Sequence, residues 1–183
     1  SLRHIVGVQF RNCATVGGSI WGRFGFSDVL TMFLALDTEV ELFKGGRVCL
    51  WDFVKMPKDR DILVHIIVKK TPIKTAYLSQ RNTKTDFPVL ACCVSMSEDG
   101  MKAVYGARPS KAFLLEDEEN ILKDVQTLSE EEKKEAYEKF ADYAARKVPT
   151  SGNMRGSAKY RTLLVKVLTR RALEAVGGMS DEN

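Results

Sequence analysis

Arg11-Asn12-Cys13-Ala14-Thr15-Val16-Gly17-Gly18-Ser19, with Ser27-Asp28 a short way on, is the stretch that decides the fold. Two adjacent glycines leave a backbone with no side chains in the way. Such a turn can take φ > 0 and lets a ligand come up to main-chain N–H groups. Successive N–H groups in a tight turn form a concave nest that favours anions, phosphates above all. Thr15, Val16, Gly17, Gly18 and Ser19 therefore read as a cradle for the diphosphate of a nucleotide cofactor. Taken alone, a Thr-x-Gly-Gly also fits a plain hairpin turn, or a turn leading into a helix, with no ligand at all.

The totals are those of an ordinary globular chain. It has 183 residues, 44% hydrophobic and 28% charged, with a formal net charge of +4. That is one or two small domains with a real core. Lys/Arg alternate with Asp/Glu along most of the chain, without the basic block of a nucleic-acid binder. No apolar run is long enough to cross a bilayer, and the N-terminus lacks a signal-peptide pattern, so the expected location is cytoplasmic. The four cysteines, Cys13, Cys49, Cys92 and Cys93, form no C-x-x-C pair and fit neither zinc nor iron–sulfur spacing. Cys92 and Cys93 are neighbours in an expected strand, so their side chains point to opposite faces as buried free thiols. Of the two histidines, His65 sits in an apolar run and reads as a strand residue rather than a ligand.

Leu2 to Val6 reads as the tail of a helix. Ser27 is the candidate N-cap of a buried helix through Leu36. Thr38–Phe43 and Arg47–Trp51 flank Gly45-Gly46 as a hairpin, Trp51-Asp52-Phe53 ends that sheet, and 62–68 is an apolar strand. Pro72, behind two lysines, marks a boundary. Strands near 75–81, 89–97 and 102–107 follow, the last two joined by Ser97-Glu98-Asp99-Gly100. A short helix is expected over 117–125. A longer one starts at Ser129 with Glu132 in a capping box, its stripe running Ala136, Tyr137, Phe140, Ala141 and Ala144. The last helix spans about 158–176, with a buried stripe of Tyr160, Leu163, Leu164, Val167, Leu168 and Ala172.

Two separated motifs carry a family resemblance. The first is Arg11-Asn12, Thr15-Val16-Gly17-Gly18-Ser19, Ser27-Asp28-Val29 and Leu34-Ala35-Leu36-Asp37. The second is Met154-Arg155-Gly156-Ser157-Ala158-Lys159-Tyr160-Arg161, continuing to Leu168-Thr169-Arg170-Arg171-Ala172-Leu173. In this order they resemble the FAD-binding flavoprotein of the molybdenum hydroxylases, the xanthine dehydrogenase and carbon monoxide dehydrogenase group. The resemblance implies an α+β fold. Residues 1–70 are expected to be the second half of an FAD-binding domain, an antiparallel sheet with helices. Residues 71–178 are expected to be a flavoprotein C-terminal domain, a three-stranded antiparallel sheet with three helices, and 179–183 a flexible tail.

The implied function is electron transfer. In that family, electrons from a molybdopterin centre pass through 2Fe–2S clusters to FAD and on to NAD⁺ or another acceptor. This chain has no residues for the molybdopterin or the clusters, which are expected on partner subunits. The family also has a preceding subdomain with another Gly-rich loop, which nothing here matches. The chain therefore reads as a piece that binds FAD weakly or not at all by itself. The other reading is a scaffold module of such a complex that holds no cofactor.

The resemblance also marks residues. Asp28 matches a ribose or adenine contact, and is equally a helix first-turn carboxylate. Ile5 and Leu63 match positions near the cofactor, or they only pack. Ser79 stands where several relatives carry a lysine that reaches the flavin, and a serine supplies neither that charge nor that length. Arg81, on the same strand face, is a candidate to compensate. Arg155 is expected to pair with a carboxylate or a carbonyl, or to serve a subunit interface.

Overall fold

The computed structural model describes residues 1–98 and 100–178, so the tail expected at 179–183 and one residue of the expected turn, Asp99, lie outside the described residues. The chain opens on a single 3-10 turn, Leu2–His4, where the tail of an α-helix was expected. Helix α1 (Val8–Cys13) follows, and its Arg11 guanidinium reaches back to the carbonyls of Ile5 (2.7 Å) and Val6 (3.0 Å). Helix α2 spans Val16–Gly22 and helix α3 spans Asp28–Ala35. Ser27 caps α3 as expected, its Oγ accepting from the Leu30 amide at 3.1 Å. Val29, Leu30, Leu34 and Ala35 are buried along α3.

Strands β1 (Thr38–Leu42) and β2 (Gly46–Cys49) form the expected hairpin. The chain then departs from expectation. Trp51-Asp52-Phe53 does not close the sheet but lies in helix α4 (Leu50–Lys55). Leu50, Phe53 and Val54 are buried together at a spacing of three and four, a helical face too short for periodicity to separate from a strand. Strand β3 (Leu63–Val68) adds to the other side of β1, giving the antiparallel order β2-β1-β3. His65 sits on its exposed face, Nδ1 2.8 Å from the Glu41 carboxylate.

The second sheet contains β4 (Lys74–Arg81), β5 (Pro88–Ser97), β6 (Gly100–Gly106) and a short strand that the sequence did not reveal, β7 (Phe113–Leu115), all antiparallel in that order. Strand β5 is apolar and buried almost throughout because both its faces are covered. Cys92 faces one core with Leu90 and Val94, while its neighbour Cys93 faces the other with Val104 and helix α3. Helix α3 therefore packs on one face of this sheet, and two long helices pack on the opposite face.

Those helices are α5 (Glu130–Lys147) and α6 (Ala158–Gly177). The helix expected over 117–125 is instead a run of turns ending in a 3-10 turn, Val125–Thr127. Asn120 (φ 55°) and Asp124 (φ 54°) are left-handed there, and Asp117 accepts from the Ile121 and Leu122 amides. Asx side chains that bond nearby amides and tolerate positive φ compete with a helix. The face of the second sheet opposite α3 is thus covered by two α-helices, and the expected third helix is absent.

The capping box of α5 is present: Glu132 accepts from the Ser129 amide at 2.9 Å, and Ser129 Oγ accepts from the Glu132 amide. A Ser129→Ala variant is expected to lose about 1 kcal/mol, read as a lower urea midpoint with an unchanged m-value. On α6 Leu164, Leu168 and Ala172 of the expected stripe are buried, while its other members give way to a face turned toward Arg161 and Thr169. Tyr160 (39%) and Leu163 (57%) are exposed, and Arg161 and Thr169 are inside. Among the described residues, no helix is long and apolar enough to cross a membrane.

Candidate functional site

The Thr15–Ser19 segment is the start of α2, not a free turn. Thr15 is the N-cap, its Oγ1 accepting from the Gly18 amide at 2.9 Å. Neither Gly17 nor Gly18 has a positive φ, so the expected left-handed nest is replaced by a helix N-terminus. The chemistry survives the change. The first-turn amides of Val16 and Gly17 have no intrahelical acceptor, and the helix end carries partial positive charge. A Cβ built on Gly17 meets nothing within 4 Å, so no other segment crowds this position. Thr15 Oγ1 is used as an acceptor in the cap, and its proton remains free to donate.

This helix end borders a cleft of about 470 Å³. Ile5 and Phe10 line it from the N-terminal segment, Thr15, Gly18 and Ser19 from α2, and Asp28 from the start of α3. Arg81 and the loop residues Thr85–Phe87 complete it from the second sheet. Val16 and Gly17 are not among its lining residues. Leu63 is not brought here, and packs instead into the core under the first sheet.

Asp28 joins the two halves. It is buried, and its Oδ1 accepts from both Tyr77 Oη and Arg81 Nη2. Burial raises the Tyr77 pKa far above its usual range, with the Asp28 charge adding to it, so the phenol stays a donor. Both bonds fall on Oδ1, which leaves Oδ2 as the oxygen that can face a ligand. Arg81 also holds the Asp86 carbonyl (2.6 Å) and lies 3.3 Å from Ser79 Oγ. It thereby puts a guanidinium where Ser79 offers only a hydroxyl.

Sequence reasoning missed the aromatic wall. Phe24 and Phe26 stack at 5.2 Å between centroids, and Phe87 packs against Phe26 at 4.5 Å. All three are exposed, at 52%, 41% and 46%. A contiguous apolar patch beside a few polar groups marks a binding surface more often than idle exposure does. The signal for Phe24 and Phe26 was present as aromatics flanking Gly25 just ahead of the α3 cap. Phe87 is too distant in sequence for any local pattern to connect it. No three His, Cys, Asp or Glu side chains form a candidate metal site among the described residues.

The chain is similar in sequence and fold to known proteins. Residues 1–71 match the family described as FAD binding domain in molybdopterin dehydrogenase. Residues 75–176 match the CO dehydrogenase flavoprotein C-terminal domain. An uncharacterized Escherichia coli (strain K12) protein, YgfM, is 32% identical over 124 residues, which is 65% of this chain and 48% of the relative. The chain therefore spans about half the length of the curated relatives it matches. Among solved structures, carbon monoxide dehydrogenase from Hydrogenophaga pseudoflava aligns over 97% of this chain and 65% of its own, with a TM-score of 0.77 at 20% identity. Quinoline 2-oxidoreductase from Pseudomonas putida 86 aligns over 98% and 66%, with a TM-score of 0.81 at 17% identity. At these identities the likeness is one of fold.

Proposed function

We propose that this chain, which belongs to the FAD-binding flavoprotein family of the molybdenum hydroxylases, holds FAD in the cleft between α2 and the β4–β5 loop. The observation that carries the reading is the open helix end. Two first-turn amides, the Thr15 hydroxyl and a Gly17 without a side chain lie together at the start of α2, a set of groups that suits a diphosphate. The residues assigned to the cofactor are Thr15, Val16, Gly17, Gly18 and Ser19 for the diphosphate and Asp28 for a hydroxyl or amino donor. Ile5 is assigned an apolar contact, and Leu63 is retained as a more distant one. Arg81 and the Phe24–Phe26–Phe87 wall join these residues on the geometry.

When bound, FAD supplies the electron-accepting and electron-donating chemistry, and the protein supplies position and electrostatics. Val16 and Gly17 would offer amide donors to the diphosphate, the phenylalanines would exclude water from one side of the cleft, and Arg81 would keep a positive charge beside it. The whole assembly is part of the same proposal. In such an assembly this component would take electrons from 2Fe–2S clusters of a partner subunit, themselves reduced by a molybdopterin subunit, and would pass them to NAD⁺ or another acceptor. A further FAD subdomain would supply the remaining contacts to the cofactor. The four free cysteines suit the reducing conditions of a cytoplasm.

The second reading, a scaffold that holds no cofactor, is favoured by one observation: Thr15 Oγ1 and Asp28 Oδ1 already have protein partners. Gly17→Ala separates the two. Alanine is worth about 0.5–1 kcal/mol to a helix over glycine, and Gly17 has room for it, so the variant is expected to melt no lower than the native chain. Its methyl group, however, stands over the amides that meet the diphosphate. FAD titrated into the concentrated chain, with quenching of flavin fluorescence as the readout, is expected to bind weakly to the native protein and not measurably to Gly17→Ala. Equal binding by both, or none by the native chain up to the solubility of FAD, overturns the cleft assignment.

A further inference from the structure

The cleft's outer wall is held from behind by a residue that does not line it. The loop between β4 and β5 carries Thr85, Asp86 and Phe87 into the cleft. Behind it stands the loop between α5 and α6. There Arg155 places Nε and Nη2 each 3.3 Å from Asp86 Oδ1, and its guanidinium lies over the Phe87 ring at 5.2 Å. Asn82 Nδ2 donates back to the Arg155 carbonyl at 3.2 Å. Asp86 Oδ1 also accepts from the Phe87 amide at 2.7 Å, so the same carboxylate that Arg155 grips orients the aromatic residue.

Arg155 is itself held. Its amide donates to Asn153 Oδ1 at 2.9 Å, and that oxygen also accepts from Arg161 Nη2 at 2.6 Å. A continuous polar chain thus runs from the interior of α6 through Asn153, Arg155 and Asp86 to Phe87. Arg155 faces a smaller hollow of about 250 Å³ on the far side of the phenylalanine wall. It can therefore shape the cleft only through the β4–β5 loop, by way of Asn82, Asp86 and Phe87.

We propose that Arg155 is a positioning residue for the cleft: it latches the Thr85–Phe87 wall to the helical layer of the second sheet and so sets where Phe87 stands. The latch rests on contacts within this chain. Only its consequence for a nucleotide rests on the flavin reading. The Arg155–Asp86 pair is about a third exposed on both sides (29% each), so its effect is graded rather than all-or-none.

The test has two arms, applied to the native chain, Arg155→Met, Asp86→Asn, the double variant and Arg155→Lys. Hydrogen–deuterium exchange reads the wall directly. Amides of residues 83–87 are expected to exchange faster in Arg155→Met while those of β5 and α6 keep their protection, which a loss of global stability does not reproduce. FAD titration reads the consequence. Each single variant is expected to raise Kd about fivefold, Arg155→Lys less, and the double variant no more than either single, since the two residues act as one unit. Unchanged exchange at 83–87 in Arg155→Met overturns the latch whatever FAD does. Additive losses in the double variant also overturn it, because Asp86 and Arg155 then act separately. If the native chain binds no FAD, the flavin reading fails and the exchange arm alone decides the latch.

Discussion

Replacing Arg161 by Met is expected to cost the chain about 3 kcal/mol or more of stability, although the two side chains are similar in volume. Arg161 is 1% exposed and has no carboxylate partner among the described residues. Its guanidinium instead donates to neutral oxygens: Val89 O at 2.8 Å, Ser151 O at 2.8 Å, Asn153 Oδ1 at 2.6 Å and the Gly156 carbonyl. Burial, and secondarily the charge of Arg155, lower its pKa, but an arginine has far to fall before it loses its proton. Methionine fills the stem and removes every donor. A buried acceptor left without a donor costs about 1–3 kcal/mol, and here several are orphaned together, with partial relief from water reaching the loop. Lysine, with a point charge and no planar fork, is expected to recover less than half of the loss. Urea denaturation monitored by far-UV circular dichroism measures both variants. A midpoint for Arg161→Met within error of the native one refutes the account. The same variant also releases Asn153 from its hold, so faster exchange at 83–87 is expected to accompany it.

That residue illustrates what the sequence could and could not reveal. Apolar periodicity located every strand of the first sheet, the long strands of the second and both long helices, because those elements bury one stripe or one face. It misjudged α6, where a stripe built from Tyr160 and Leu163 ignored Arg161 and Thr169. Polar side chains enter a core only when partners await them, and the partners of Arg161 lie on other segments: Val89 is on β5, and Ser151, Asn153 and Gly156 are in the preceding loop. Thr169 likewise meets Tyr105 on β6, Oγ1 to Oη at 2.6 Å. The turns over 117–125 were missed for the opposite reason. Their determinants are local, but they lie in Asx side-chain geometry rather than in hydrophobicity.

The site divides in the same way. Thr15 to Ser19 and Asp28 were legible as a motif, yet the motif did not say that its glycines open a helix. It also did not say that Asp28 would spend one oxygen on Tyr77 and Arg81, residues across a domain-sized gap in sequence. Arg81 was considered only as a substitute for the charge that Ser79 lacks, and it proves to line the cleft. The phenylalanine wall needs three segments to meet, which no window of sequence contains.

Gly25→Ala is expected to be the most damaging single methyl group in the chain, lowering stability by several kcal/mol and distorting the cleft at once. Gly25 sits between the two wall residues Phe24 and Phe26, and its carbonyl accepts from the Ala107 amide at 2.6 Å, docking the α2–α3 loop on the end of β6. A Cβ there would overlap the carbonyl oxygen of Ser110 and lie 2.7 Å from its carbon and 3.2 Å from Lys111 Cα. These are backbone atoms of a segment that is itself fixed. Arg108 donates to the Lys111 carbonyl and to the Pro149 carbonyl, each at 2.8 Å, so the segment cannot swing aside cheaply. Overpacking a fixed core costs about 1–3 kcal/mol, and a clash against backbone on both sides belongs at or beyond the upper end of that range. The loop has one way to relieve it, which is to lift away from β6. That breaks the Gly25–Ala107 bond and carries Phe24 and Phe26 out of register with Phe87. Serine at this position is expected to behave like alanine, because the obstacle is the first side-chain carbon rather than any atom beyond it. Thermal melting would register the loss of stability. Exchange at the Ala107 amide would then separate a lifted loop, in which that one proton loses its protection, from general loosening, in which β5 loses protection as well. If Gly25→Ala melts like the native chain with Ala107 still protected, the close approach of the two segments is not what keeps this position glycine.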